Sequence, residues 1–158
     1  MVEKETIWHT GSGNAANIED VVEQIKLHTR RDGKVYVGAD SQLGGEFCTF
    51  VTVICLHGGL DRNKKYFFKK EKVSAKKIGN LRHRINQEVI RSLSTLSFIV
   101  ENVPRANIEI HVDIGMSDRS RTKPFVDSIV GWVKGLGVSC KVKPDAWASA
   151  SVADRHTK

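Results

Sequence analysis

Apolar residues near the start of the chain recur every three or four positions, which is the spacing of one face of a helix. They are Ile18, Val21, Val22 and Ile25. Asn17 can cap this helix and the turn signal Asp32-Gly33 ends it, so the pattern predicts a helix over residues 17–31. The preceding residues, 1–16, include Gly11-Ser12-Gly13-Asn14 and are predicted to form a flexible N-terminal arm.

Three segments rich in β-branched and aromatic residues follow this helix, and short glycine-containing links separate them. They cover residues 35–40, 47–57 and about 65–70. Links this short join neighbouring antiparallel strands, so the three segments are predicted to form an antiparallel meander.

The second half of the chain alternates between helical and strand-like patterns. An apolar stripe with helical spacing predicts a long helix over about 75–100, and a second one predicts a helix over about 123–134. Strict alternation over residues 108–113 predicts a fourth strand, and a similar pattern over 138–142 predicts a fifth. Asp145 can cap a last short helix that runs to about Arg155.

The resulting order after the first helix, β-β-β-α-β-α-β-α, predicts one α/β domain over residues 17–158. Its core would span residues 34–158, with 17–31 as an added helix. A strand reached through a helical crossover can lie parallel to the first strand. We therefore expect a five-stranded mixed sheet, three strands in the antiparallel meander and two parallel, flanked by helices.

Bulk composition is that of one ordinary soluble domain, with 158 residues, 40% apolar and 27% charged. The chain has no run of about 18 apolar residues that would cross a membrane, and its start lacks the apolar centre of a signal peptide. These features favour a cytoplasmic location. Three cysteines without CxxC spacing argue against both a disulfide framework and a zinc site.

Positive charge is concentrated in one stretch of the chain. The net charge is +7, and the sequence pI is about 9.5. Residues 62–84 contain ten Lys or Arg against a single acid, Glu71. Such clustering is typical of a surface that binds phosphates, and a solvated face that only aids solubility is the alternative.

Four acidic residues fall where the predicted fold can bring them together. Asp40 ends or interrupts the first strand among apolar neighbours, where an unpaired carboxylate is costly. Asp113 ends the fourth strand and meets Asp40 if the two strands are neighbours. Glu88 lies at the edge of the long helix's apolar stripe, and Asp154 lies on the last helix. Each acid alone also has a structural interpretation, as a turn, boundary, loop or surface residue.

Grouped carboxylates have a specific chemical use. Mg²⁺ prefers carboxylate oxygen, and two such ions about 4 Å apart activate water and stabilise the leaving oxygen in phosphodiester cleavage. We therefore expect Asp40, Glu88, Asp113 and Asp154 to bind Mg²⁺ or Mn²⁺, with two ions in the site.

Short motifs carry a family resemblance. Val37-Gly-Ala-Asp40-Ser-Gln42, Arg84-Ile-Asn-Gln-Glu88, Ile110-His-Val-Asp113 and Ala153-Asp154-Arg155, in this order, resemble the ribonuclease H-like superfamily. Gly38-Ala-Asp-Ser-Gln42, His111-Val-Asp-Ile114, Gly131-Trp-Val133 and Lys143-Pro-Asp-Ala-Trp147 look like its YkuK-like branch of small bacterial proteins.

The resemblance implies a ribonuclease H-like fold and products with a 5′ phosphate and a 3′ hydroxyl. It also implies that Asp40, Glu88 and Asp113 are the main metal ligands. Asp154 would be the more variable fourth ligand, and Asp145 is its rival.

A metal-dependent nuclease acting on RNA, an RNA–DNA hybrid or branched DNA is the predicted function. The alternatives are a binding module that grips nucleic acid without cutting it and a partner-binding protein. The residues expected to contact nucleic acid are Ser41, Gln42, Lys69, Lys70, Lys76, Lys77, Arg84, Arg119, Arg121 and Lys143. For His111 and Trp147, structural roles are favoured over functional ones.

Overall fold

A seven-stranded mixed sheet lies at the centre of the computed structural model, which describes residues 7–60, 64–114 and 123–158. The strands are β1 (Trp8–Thr10), β2 (Ala15–Ala16), β3 (Lys34–Gly44), β4 (Phe47–His57), β5 (Lys65–Ser74), β6 (Asn107–His111) and β7 (Ser139–Lys141). Their order across the sheet is β2-β1-β5-β4-β3-β6-β7. The β3–β6 and β6–β7 pairs are parallel, and the other pairs are antiparallel.

Helices connect and cover the strands. They are α1 (Ile18–Arg30), α2 (Leu81–Asn102), α3 (Lys123–Gly135) and α4 (Asp154–His156). A π-helical segment, Ala148–Ala153, runs directly into α4, and residues 148–156 together are called the C-terminal helix below. Among the helices of the described residues, none combines the length and apolar character needed to cross a bilayer.

The prediction of five strands is wrong in number, because the part of the chain predicted as an arm contributes β1 and β2. His9 and Thr10 of β1 pair with Phe68 and Phe67 of β5. Sequence patterns did not predict β1 and β2, because strands of two or three residues show no hydrophobic alternation. The strand that pairs with β1, β5, is also distant in sequence. The five predicted strands are present as β3 to β7, with the expected meander and the expected parallel pairs.

Alternation along β3 assigns its side chains to two faces of the sheet. Val35 and Val37 lie on one face, which is called the helix face because α1 and α2 pack their buried apolar residues against it. Tyr36, Gly38 and Asp40 lie on the opposite face. The C-terminal helix packs there, and a methyl group added at Gly38 would lie 2.8 Å from the backbone nitrogen of Ser149. We call this second side the C-terminal face.

The long helix begins later than its apolar stripe predicts. A short 3-10 turn occupies Ala75–Lys77, and α2 starts only after Asn80, whose side chain accepts a hydrogen bond from the backbone N–H of His83 at 2.9 Å. Ile78, the first apolar residue of the stripe, is buried against Cys48 and Phe50. Tertiary packing rather than helix formation therefore explains the apolar residue at this position.

Candidate functional site

Strand register brings Asp40 and Asp113 to the same end of the sheet. Gly38 of β3 pairs with His111 of the parallel strand β6, and each acid lies two residues further along its own segment. Both acids thus lie just beyond the region where the two strands pair, Asp40 within β3, which continues to Gly44, and Asp113 after the end of β6. The negative charge of Asp113 is close enough to raise the pKa of Asp40.

Asp154 reaches the same place from the C-terminal helix. Its carboxyl group lies close enough to that of Asp40 for the two to share a hydrogen bond when one of them is protonated. Burial, this hydrogen bond and the charges of Asp113 and Asp154 raise the pKa of Asp40 to about 7, against the opposing effect of the backbone N–H of Ser41. Two carboxyl groups can share a hydrogen bond only when one is protonated, which agrees with this direction.

Glu88 approaches the cluster from α2, and only 6% of its surface is exposed. Burial, followed by the charges of Asp40 and Asp113, raises its pKa to about 8. The Ser41 hydroxyl donates a hydrogen bond to Oε2 of Glu88, and this bond acts to lower the pKa. Ser41 therefore holds Glu88 beside β3.

Two cations lie beside these acids. Nζ of Lys143 is 3.3 Å from Oδ1 of Asp113, an ion pair whose geometry is not that of a hydrogen bond, so this buried oxygen has no hydrogen-bond partner. Arg84 lies one helical turn before Glu88, and its positive charge lowers the pKa of Glu88. Nε of Arg84 is also buried without a partner among the described residues. Both residues were predicted to bind nucleic acid, and both lie within the acidic cluster.

Carboxylate oxygens form a donor set that fits a hard divalent cation. In the described ranges, however, no group of three or more His, Cys, Asp or Glu side chains is arranged to hold a metal ion. The carboxyl groups of Asp40 and Asp154 face each other, and that of Asp113 faces Lys143. Side-chain rotation is needed before three carboxylates can share one ion.

The start of the C-terminal helix is anchored by His111, which sequence patterns alone did not connect to that helix. Nδ1 of His111 accepts a hydrogen bond from the backbone N–H of Ala148 at 3.0 Å. Nε2 lies 2.8 Å from Oε2 of Glu109, and both side chains are buried. The other end of the helix is held by Gln42, whose Oε1 accepts a hydrogen bond from Thr157 at 3.1 Å. These contacts position Asp154.

Asp145, the rival for the fourth acidic position, is exposed and is not among the groups that shift the pKa of Asp40 or Glu88. Trp147, beside it, packs against Tyr36 with ring centroids 4.7 Å apart. The structure thus brings Asp154, and not Asp145, to Asp40.

The predicted nucleic-acid contacts are divided between the two faces of the sheet. Lys69 lies on the helix face, with Nζ 5.3 Å from the centre of the Trp8 ring, whereas Lys70 lies on the C-terminal face with Asp40. Lys76 and Lys77 are exposed in the 3-10 turn. The predicted contacts Arg119 and Arg121 lie outside the described residues.

Comparisons with known proteins find sequence similarity over most of the chain. A family model described as Ribonuclease H-like matches residues 16–158. The chain is also similar to the uncharacterized protein YkuK of Bacillus subtilis (strain 168). The two are 27% identical over 161 residues, which cover 89% of this chain and 90% of the relative. No solved structure gives a significant match.

Proposed function

Since this chain belongs to the ribonuclease H-like family, we propose that it is a metal-dependent nuclease that hydrolyses phosphodiester bonds. The substrate class is RNA, an RNA–DNA hybrid or branched DNA. Family membership by itself supports a function related to nucleic acid, and the cleavage step rests on the acidic cluster described above.

One observation carries the proposal, namely the meeting of four carboxyl groups from β3, α2, the end of β6 and the C-terminal helix. Burial is the largest cause of the raised pKa values of Asp40 and Glu88, and the negative charges of neighbouring carboxylates raise them further. Bound cations offset such repulsion. Strongly shifted carboxyl groups in a cluster are also more frequent at catalytic sites than elsewhere.

Mg²⁺ or Mn²⁺ ions held by Asp40, Glu88, Asp113 and Asp154 would neutralise charge on the phosphate and help to generate the nucleophile from water. The other residues support this set of ligands. Ser41 orients Glu88 through its hydroxyl group, and Lys143 forms an ion pair with Asp113. Arg84 and Lys143 also place positive charge where an approaching phosphate needs it.

Cleavage assays with labelled RNA, hybrid and branched DNA test this proposal. We expect cleavage that requires Mg²⁺ or Mn²⁺ and that falls at least about a hundredfold in Asp40→Asn and Asp113→Asn, because each change removes a charged ligand. Asp145→Asn is the matched control, since it makes the same chemical change on an exposed residue outside the cluster. If both active-site variants cut as fast as the parent protein, the proposal is wrong.

A binding module that does not cut is the second candidate. The absence of three carboxyls already arranged around one point, within the described ranges, favours it. This candidate predicts binding that weakens as salt rises, with no product at any metal concentration. Cleavage lost specifically in the Asp40 and Asp113 variants rules it out.

A further inference from the structure

An exposed aromatic side chain shares the C-terminal face with Asp40 and Asp154 of the acidic cluster. Strand register pairs Asp40 with Val51, Gln42 with Thr49 and Gly44 with Phe47. Directly paired residues of antiparallel strands point to the same face. Phe47 therefore lies on the same side of the sheet as Asp40, at the tip of the β3–β4 hairpin.

The neighbouring strand adds positive charge to this surface. Lys70 and Lys72 of β5 pair with Val51 and Thr49, so both lysines lie on the C-terminal face. We call this surface the platform. It consists of Gln42, Gly44, Phe47, Thr49, Lys70 and Lys72.

The platform begins where the C-terminal helix stops covering the sheet. Thr157 bonds to Gln42, and Nζ of Lys70 donates to the backbone oxygen of Lys158 at 3.4 Å. Beyond these contacts Gln42, Gly44, Phe47 and Lys72 are exposed, and this surface is continuous with the site that contains Asp40 and Asp154.

Phe47 has open space beside it. Its exposed fraction is 47%, and its cross-strand partner Gly44 has no side chain and no atom within 4 Å of an added Cβ. Lys72 is exposed and forms no hydrogen bond or ion pair with the described residues. One ring with an open neighbouring position thus lies at the hairpin tip, one row of paired residues on this face beyond Lys72 and two rows beyond Asp40 and Lys70.

We propose that the platform binds single-stranded nucleic acid, with an unpaired base stacked on Phe47 and phosphates on Lys70 and Lys72. This inference rests on the proposed function and narrows its substrate class to strands with unpaired bases beside the cleavage site. Aromatic residues among cations are the recurring design for such strands, because every base offers a ring face. In a duplex those faces are covered by neighbouring base pairs. A second copy of this chain is a poorer occupant, because its positive charge would oppose the lysines.

The hairpin itself supplies a matched control. Leu43 is 50% exposed, close to the value for Phe47, but it belongs to the alternate set of β3 positions and so lies on the helix face. An apolar side chain at a hairpin tip is ordinary. Only a stacking role for Phe47 requires that its substitution weaken nucleic-acid binding more than substitution of Leu43 does.

Fluorescence anisotropy at low salt, in EDTA so that no cleavage occurs, tests the platform. The probes are a fluorescein-labelled single-stranded oligonucleotide and a blunt duplex of the same sequence. We expect Phe47→Ala to weaken single-strand binding about tenfold or more, with Phe47→Trp near the parent and Leu43→Ala within about twofold. Lys72→Gln should weaken binding and also flatten the salt dependence.

Equal losses in Phe47→Ala and Leu43→Ala, or no loss in either, would overturn the proposal. Equal affinity of the parent for duplex and single strand would do so too. Sedimentation of the same variants supplies a further outcome, because a dimer lost specifically in Phe47→Ala would show that the platform is a self-interface. The nuclease proposal and the platform proposal can each fail alone. Binding that depends on Phe47 can persist without cleavage, and cleavage can persist without a role for Phe47.

Discussion

Nδ1 of His111 accepts a hydrogen bond from the backbone N–H of Ala148, which is 37 positions further along the chain. A backbone N–H is only a donor, so this ring nitrogen carries no hydrogen. The other nitrogen, Nε2, therefore donates to Glu109. The pairing fixes both the tautomer of His111 and the position at which the C-terminal helix starts. His111 is thus a positioning residue for Asp154.

Two substitutions at His111 separate this role from simple packing. Asparagine retains an acceptor near the position of Nδ1, whereas glutamine places its amide near Nε2 and leaves the Ala148 N–H unsatisfied. A buried unsatisfied donor costs about 1–3 kcal/mol. We expect His111→Gln to destabilise the protein more than His111→Asn does, although asparagine is smaller. Urea unfolding measures the difference, and hydrogen exchange at the Ala148 amide checks its location. Faster exchange in His111→Asn than in His111→Gln would contradict the assignment.

Gly38 permits the close approach of the C-terminal helix to β3. A Cβ there would lie 2.8 Å from the nitrogen of Ser149 and 3.0 Å from the carbonyl carbon of Ala148, both backbone atoms that cannot rotate away. We expect Gly38→Ala to destabilise the fold by about 1–3 kcal/mol, the usual cost of overpacking. Gly44→Ala on the same strand meets nothing within 4 Å and should be nearly neutral. Equal unfolding midpoints for the two variants would show that the helix does not constrain position 38.

Stability of the metal-free protein should fall as pH rises. The pKa of Glu88 moves from 4.5 to about 8 on folding, and that of Asp40 moves from 3.8 to about 7. The folded state therefore binds more protons than the unfolded state between about pH 4 and pH 8. This contribution is complete below pH 4 and is lost by about pH 8, at about 1.4 kcal/mol per pKa unit.

Glu88→Gln isolates the part of this pH dependence that belongs to Glu88. The variant should lose stability less steeply than the parent over the same range, because glutamine does not ionise. Denaturant unfolding in EDTA at several pH values measures both slopes. Parallel slopes would mean that Glu88 titrates normally in the folded protein.

Divalent cations should stabilise the protein through the same carboxyl groups. A ligand that binds only the folded state adds about 2.7 kcal/mol at a hundred times its Kd. We expect Mn²⁺ to raise the melting temperature of the parent and of Asp145→Asn, and to have little effect on the double variant Asp40→Asn/Asp113→Asn. Thermal unfolding with and without EDTA measures the shift. A similar rise in all three proteins would locate the ion elsewhere.

Periodicity predicted strands such as β3 and β4 because they are long enough to bury an apolar run. The β3 segment shows this case, since Val35 and Val37 alternate with residues of the opposite face. Strand β1 shows the opposite case, because three residues paired to distant Phe67 and Phe68 leave no pattern in the local sequence. Pairing of this kind depends on tertiary context, which a local pattern does not contain.

The acidic residues were predictable as a group, but their partners were not. The position of Asp40 among apolar neighbours and the family motifs pointed to the cluster, and the role of these acids as metal ligands remains a prediction. The contact between Lys143 and Asp113 joins residues from two loops, and only the folded chain reveals it. The same holds for Ser41 and Glu88, because a side-chain rotamer decides their hydrogen bond.

The small hairpin of β1 and β2 has a consequence for solubility. It occupies the apolar half of the outer edge of β5 at Phe67 and Phe68, and the other half of that edge carries Lys69, Lys70 and Lys72. Open edges recruit strands from other molecules, and lysines discourage such recruitment. A protein shortened to begin after Ala16 would expose the aromatic half of β5, and fibrous association would compete with its folding. Strands β1 and β2 therefore protect the edge of β5 from pairing with other molecules.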